Sequence, residues 1–413
     1  MAPPTLGLAS GHTLIDASSV IQVPRESYPR LFLRFLRFGL LAWGGPVAQI
    51  AMVREELVER ERWISRERFN RVLSVYQVLP GPEAHELCVY FGHLSRGRLG
   101  GLLAGLGFML PGFLLMLMVS WAYVRFGIAR IAPQGVFYGF QAAVLALIVR
   151  AVMRIGRHAL VDPWLWAIAA AVATAELAGV HFGLTLATAG LAYATIRRGQ
   201  LLWAAAVVGT GFAMALLVPG LREVGEGYIA ARSVANASPS LARLFGSGLL
   251  AGLLTFGGAY TVIPFLRREA VAVGAWMTDG QFVDGLALSG ILPAPLVIFG
   301  TFVGYLGGGM AGALAVTGGI FLPAFAFTMV GHGALEKLVE APPLHAFLDG
   351  VTAGVVGLIV ATTIRLTPTA VPDLPAALLA ALSFVVLVTW RSKLAIPVAV
   401  LSAGALGVIA VHI

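Results

Sequence analysis

Two short backbone motifs in this chain predict broken helices whose starts would suit an anion. Leu79-Pro80-Gly81-Pro82 interrupts an apolar run at 70–94, and Leu292-Pro293-Ala294-Pro295 interrupts another at 282–305. Proline frees a backbone carbonyl inside a membrane helix, and glycine lets backbones approach. Pro80 ends one half-helix. Pro82 suits the first position of the next, where a fixed φ and a missing N–H cost nothing. The N–H groups that follow, with the positive end of the helix dipole, make an anion site. Pro293, Ala294 and Pro295 repeat the device. Gly44-Gly45-Pro46 predicts another such start, with Gly257-Gly258 as its copy. One kink can serve helix packing alone; two at matched positions favour a binding site.

Ionisable side chains cluster at these motifs. Gln77, Glu83, His85 and Glu86 surround the first break. Charge at membrane depth is expensive, which makes such groups functional candidates. If buried, Glu83 or Glu86 titrates with substrate movement or pairs with an Arg; if interfacial, 83–86 are simply hydrated. Arg54 and Glu56 follow the first Gly-Gly segment, and Arg267 and Glu269 the second. An Arg fork matches a tetrahedral oxyanion, and an Arg–Glu clamp at the headgroups explains the same pattern. The glycines, prolines, Ala294, Gln77, Arg54 and Arg267 form the expected substrate-binding set. Glu56, Glu83, His85, Glu86 and Glu269 are the candidates for coupling or gating.

These residues sit in a doubled segment. A shift of 213 positions carries 42–82 onto 255–295, matching Gly44-Gly45 with Gly257-Gly258 and Arg54 with Arg267. It also matches Trp63 with Trp276 and Leu79-Pro80-x-Pro82 with Leu292-Pro293-x-Pro295. The match continues to Leu110-Pro111 and Leu322-Pro323, and from 139–155 to 350–366. A repeat inside an apolar chain points to a transporter of two related halves. The copies are unequal, since Leu296, Ile298 and Phe299 stand where the first half has Glu83, His85 and Glu86.

The elements that position these residues are membrane helices. The chain has 413 residues, 58% hydrophobic and 12% charged, with a mean hydropathy of +0.87. That is about half the charge of a soluble protein. The expected fold is an all-α polytopic membrane protein of two homologous halves with about 13 membrane segments, including the helices broken at LPGP and LPAP. Residues 1–29 read as a tail, 30–219 as the first half, 220–242 as a polar linker and 243–413 as the second half. The stretch 163–196 is too long for one crossing and reads as two short spans turning near Gly179–Gly183. Seven segments before the second copy would insert it upside down. The Arg-rich loops at 54–71 and 150–157, depleted in their copies, agree with such an inverted repeat.

Other function classes find little support. The net charge of +8 comes almost wholly from Arg, with Lys only at 337 and 393, and no basic stretch interleaved with aromatics suggests nucleic acid. Cys88 is the single cysteine, so no intrachain disulfide and no Cys-type metal motif is expected. No nucleophile motif, metal cluster or cofactor fingerprint is visible, so an enzyme is not expected and no cofactor is assigned.

In order and spacing, Gly44-Gly45-Pro46, Arg54, Trp63, LPGPEAHELCVYFG (79–92), FMLPGFLLM (108–116), FGGAYTVIPFLRREA (256–270) and ILPAPLVIFGTFVGYLGG (291–308) resemble the chromate ion transporter family over nearly all of 30–413. The resemblance implies a two-domain inner (plasma) membrane transporter that exports chromate, confers resistance, and draws on the proton-motive force. Trp43 stands where Phe is commoner in the family, and Ala294 stands where Gly would match the chain's own first half. The expected mechanism is alternating access, one half rocking against the other around two broken helices that hold the dianion near the bilayer midplane. Sulfate or another oxyanion, taken up or exchanged, remains the alternative, and an anion channel a further one. Glycine-rich faces such as 304–319 would permit a homodimer within the lipid bilayer.

Overall fold

Proline and glycine decide where the helices of this chain begin and turn. The computed structural model describes residues 23–128, 135–218, 239–256, 258–330, 342–390 and 392–411. Gly257, residues 1–22 of the tail and 219–238 of the linker region lie outside them. Every regular element among the described residues is helical. The first half runs α1 (Tyr28–Leu40), α2 (Gly45–Arg54), α3 (Arg66–Val78), α4 (Glu83–Phe126), α5 (Val136–Ala159), α6 (Pro163–Leu177), α7 (Phe182–Ile196) and α8 (Leu201–Leu217). The second runs α9 (Leu241–Leu253), α10 (Val262–Arg267), α11 (Asp279–Ile291), α12 (Phe299–Val330), α13 (Pro342–Ala370), α14 (Leu374–Thr389) and α15 (Ala395–Ala410).

The sequence repeat recurs as backbone geometry. α2 continues into a π-helical turn at Glu55–Arg60, and α10 into one at Arg268–Val273. Each turn is followed by a non-glycine residue with positive φ, Arg62 at 53° and Ala275 at 51°. α3 and α11 end at the LPGP and LPAP motifs, with Leu79 and Leu292 extended. Pro82 takes the N-cap of α4, one position before the start expected for it, with φ −77° and ψ 101°. Pro295 caps a 3₁₀ turn, Leu296–Ile298, that leads into α12. Asp162 and Asp373 cap α6 and α14 through their carboxylates, each just ahead of a proline.

α4 is a hairpin, not a rod. Arg96 (φ −141°) and Gly97 (φ 64°) leave the helical region and reverse the chain. Gly308 (φ −160°) and Gly309 (φ 60°) do the same in α12. The arms then pack through glycine: a Cβ on Gly92 would lie 2.4 Å from the Gly100 carbonyl, and one on Gly304 would lie 2.3 Å from that of Gly312. Four stretches are long and apolar enough to cross a membrane, Glu83–Phe126, Val136–Ala159, Leu296–Met329 and Leu344–Ala370, with six shorter apolar helices beside them. The stretch 163–196 divides into α6 and α7, which turn between Leu177 and Phe182. Residues 150–157, read as a loop, are helical: no proline interrupts α5 before the Asp162-Pro163 stop.

Packing sorts the helices into two groups that each mix the halves. α4 packs on α12, with α1 against α4 and α9 against α12. α5 packs on α13 with a crossed arrangement: α6 and α7 of the first half lie on α13, while α14 and α15 of the second half lie on α5. α10, α11 and the turns beside them lie between the groups. Asp284 of α11 ties both together, accepting from Tyr123 of α4 and from Gln141 of α5, each at 2.8 Å.

The hairpin contact predicts a contrast between two substitutions. Gly92→Ala forces the α4 arms apart and destabilises by about 1–3 kcal/mol. Gly246→Ala, which meets no atom within 4 Å, is neutral or slightly stabilising, because Ala favours helix over Gly. Thermal melting of the two purified variants in detergent checks both.

Candidate functional site

Pro46, just after the Gly44-Gly45 turn, and Gly258 of the second half meet at one cavity, which Gly44 and Gly45 themselves do not line. Gly44 (φ 89°) and Gly45 (φ 78°) adopt left-handed backbone, and Pro46 follows in the first turn of α2. A side chain on Gly44 would strike the Lys393 backbone at 2.8 Å, so the turn fits closely against the second half. Gly258 (φ 121°) leads into Tyr260, whose hydroxyl lies 3.9 Å from a Cβ placed on Gly45. Pro46, Gly258 and Tyr260 line a cavity of about 460 Å³ between the halves.

The charged lining comes from four helices. Gln77 ends α3, and Glu83, 9% exposed, opens α4. Ala151, Arg154, Ile155 and His158 present one face of α5, as spacings of three and four residues dictate. His345, Asp349 and Thr352 face them from α13, with His345 Nε2 3.7 Å from Asp349 Oδ1. Arg154 makes none of the ion pairs found among the described side chains, and its charge acts on Glu83. Arg154, the histidines, the Gln77 amide and the Tyr260 hydroxyl give a solute of this size donors from several directions, whereas the Thr352 hydroxyl donates to the Leu348 carbonyl at 2.8 Å. No group of three or more His, Cys, Asp or Glu suited to a metal occurs among the described residues.

The remaining expected residues lie elsewhere. Arg267 is held by both oxygens of Asp279, Nε and Nη2 each at 2.8 Å, and is buried. Arg54 donates to Glu59 at 3.1 Å and sits over the Phe69 ring. Arg66 shares that carboxylate, and its hydrogen bond, ahead of the Arg54 bond and their charges, holds Glu59 below the usual carboxylate range. Glu56 pairs with Arg37 at 3.3 Å, and Glu269 with Arg268 at 2.7 Å. His85 is wholly buried, its ring centroid 4.8 Å from Phe321 and 4.7 Å from Phe325. Glu86 is also wholly buried, and neither carboxyl oxygen has a hydrogen-bond partner. Gly81 donates its N–H to the Thr255 carbonyl at 2.9 Å, joining the first break to the second half. Of Pro80, Pro293, Ala294 and Pro295, none lines the cavity; a Cβ on Gly112 of α4 would lie 2.5 Å from that of Ala294.

The sequence reading passed over Arg154, His158, Tyr260, His345, Asp349 and Thr352. A signal existed for the first two: Arg154 and His158 stand four apart in a run without proline, so they share a helical face. Nothing local announces the α13 residues.

A helical membrane protein with a polar, solute-sized cavity between two repeated units is the class that this fold and site define. The family model described as chromate transporter matches residues 29–220 and again 242–408, and the chain belongs to that family. It is 55% identical over 400 residues to the chromate transport protein of Pseudomonas aeruginosa, covering 95% of this chain and 94% of that one. It is 32% identical to the chromate transport protein of Cupriavidus metallidurans, over 95% of this chain and 96% of the relative. A probable chromate transport protein of Synechococcus elongatus is 30% identical over 95% of this chain and 98% of its own length. No solved structure matches the chain.

The two classes of arginine separate by experiment. Arg154→Gln abolishes chromate transport in proteoliposomes while leaving the melting temperature near that of the parent protein. Arg267→Gln strands Asp279 and lowers stability by about 1.5–3 kcal/mol, read as a clear drop in the melting temperature.

Proposed function

We propose that this protein is a secondary active transporter that exports the chromate dianion across the inner membrane and so confers chromate resistance. The observation that carries the proposal is the cavity between Pro46 of the first half and Gly258 of the second, with Arg154 in its wall. A guanidinium fork and neutral donors suit a tetrahedral oxyanion. The ends of α4 and of the Leu296–Ile298 turn contribute less: Glu83 and Glu86 already occupy the first turn of α4, and Leu296 to Ile298 are apolar and buried. The anion therefore belongs to the wall formed by Pro46, Gly258, Tyr260 and Arg154.

Two halves, 30–219 and 243–413 with 220–242 as linker, inserted in opposite orientation as an inverted repeat of about 13 segments, suit this role. The recurring breaks, π-helical turns and hairpins support the duplication. Export is the direction that the membrane potential favours. A dianion leaving a negative interior gains roughly 4.6 kcal/mol at 100 mV, and each proton that travels with it subtracts roughly 2.3 kcal/mol.

Proteoliposomes loaded with chromate test this reading. An inside-negative potential accelerates chromate exit, and external sulfate, molybdate and phosphate compete less well than chromate in counterflow. Ohmic single-channel currents would instead identify a channel, and preferential accumulation of sulfate an uptake carrier.

A further inference from the structure

The described cavity has an acidic side that oxyanion binding does not use. Glu83 lines it opposite Arg154, and Glu86 lies one helical turn deeper on the same helix. The Glu86 carboxyl is fully enclosed, with no donor on either oxygen. A charge so placed is costly without a partner. It rests directly against the first break: a Cβ on Gly81 would stand 2.6 Å from Glu86 Oε1. Gly81 in turn bonds the Thr255 carbonyl of the other half.

We propose that Glu83 and Glu86 form a proton-binding pair, and that one proton binds together with the oxyanion. The inference rests on the oxyanion reading of the cavity. While Glu83 is ionised it supplies the counter-charge to Arg154 and repels an incoming dianion. A proton from the cavity water on the Glu83 carboxylate removes that repulsion and frees the guanidinium for the anion. No covalent step is involved; the proton is taken from solvent on binding and returned on release. Glu86 lies beside the joint at Gly81 and communicates the charge state of the pair to the contact with Thr255. A cycle that carries one dianion and one proton still moves a single negative charge outward, so the potential continues to favour export.

The sign of the coupling follows from linkage. Anion binding strengthens proton binding at the pair, so affinity for the anion is high at low pH and falls as pH rises through the range where the anion-bound pair loses its proton. For one coupled proton the fall approaches about tenfold per pH unit. The other charged or titratable groups around the pair are His85 between them on α4, Arg154, Arg150 and His158 on α5, Tyr260 beside α10, and His345 and Asp349 on α13. His85 is enclosed against Phe321 and Phe325 away from the cavity; His158 and His345 line it and could take up a proton with an anion, so they are the necessary controls.

The experiment adds chromate to the full-length protein in lightly buffered detergent at mildly alkaline pH, where free chromate is already the dianion. Binding is read by tryptophan fluorescence and proton uptake by a pH-sensitive dye. The expected result is uptake with binding, read as protons taken up per chromate bound at saturation; that ratio falls to zero in Glu83→Gln and Glu86→Gln and is unchanged in His158→Gln and His345→Gln, even where these two bind more weakly. The Glu83→Gln variant binds chromate with an affinity that no longer varies with pH. Infrared difference spectra of the parent protein, which need no variant to fold, gain a protonated-carboxyl band on chromate addition. Binding without proton uptake, uptake that persists in the Glu variants, or no new carboxyl band overturns the proposal. Absence of chromate binding in the parent protein sinks the oxyanion reading and this inference with it.

Discussion

A helix broken inside a bilayer must find partners for its backbone within the protein, because lipid offers none. That constraint organises this molecule. At the first break, Pro80 and Pro82 lack N–H groups, so the carbonyls four residues before them receive no helical hydrogen bond. The one N–H at the motif's centre, on Gly81, is answered by Thr255 from the other half. At the second break, Ala294 is enclosed by Gly112 of the first half. Each break is thus packed against the other half, although the Ala294 N–H bonds the Leu292 carbonyl of its own motif, and Pro46 and Gly258 reach one cavity from opposite halves.

The same enclosure decides which charges remain available. Arg267 and Arg54 resemble oxyanion ligands by residue type and by their repeated position, yet each spends its donors on a carboxylate, Asp279 or Glu59. Arg154 has no copy of that commitment and faces the cavity. Residue type was therefore a poorer guide than the presence or absence of a partner. The acidic pair at 83 and 86, absent from the second half, makes two otherwise parallel halves chemically unequal.

Much of this was legible in the chain because proline and glycine act locally. The two breaks, the left-handed starts at Gly44-Gly45, and the division of 163–196 follow from backbone rules that need no distant partner. The cavity wall was less legible. The apolar run of α5 fades after 153, yet the helix continues to Ala159 because nothing stops it before Asp162-Pro163, and this carries Arg154 and His158 inward. His345, Asp349 and Thr352 approach from nearly two hundred residues away, through a packing of α13 that no local pattern encodes. The hairpins at 96–97 and 308–309 are clearer in retrospect: Gly97 and Gly309 both need positive φ, and both precede a long apolar arm.

The crossed packing around α5 and α13 bears on what can move. The sequence halves interleave, since α6 and α7 pack on α13, and α14 and α15 on α5. The helices form two groups, one around α4 and α12 and the other around α5 and α13, and each contains helices of both copies. The cavity lies where the turns and short helices between the groups meet the α5–α13 group. The Tyr123–Asp284–Gln141 bonds act as a latch across the same seam. With the copies interleaved in this way, any displacement of one group along the other would be a motion within each copy as much as between the copies.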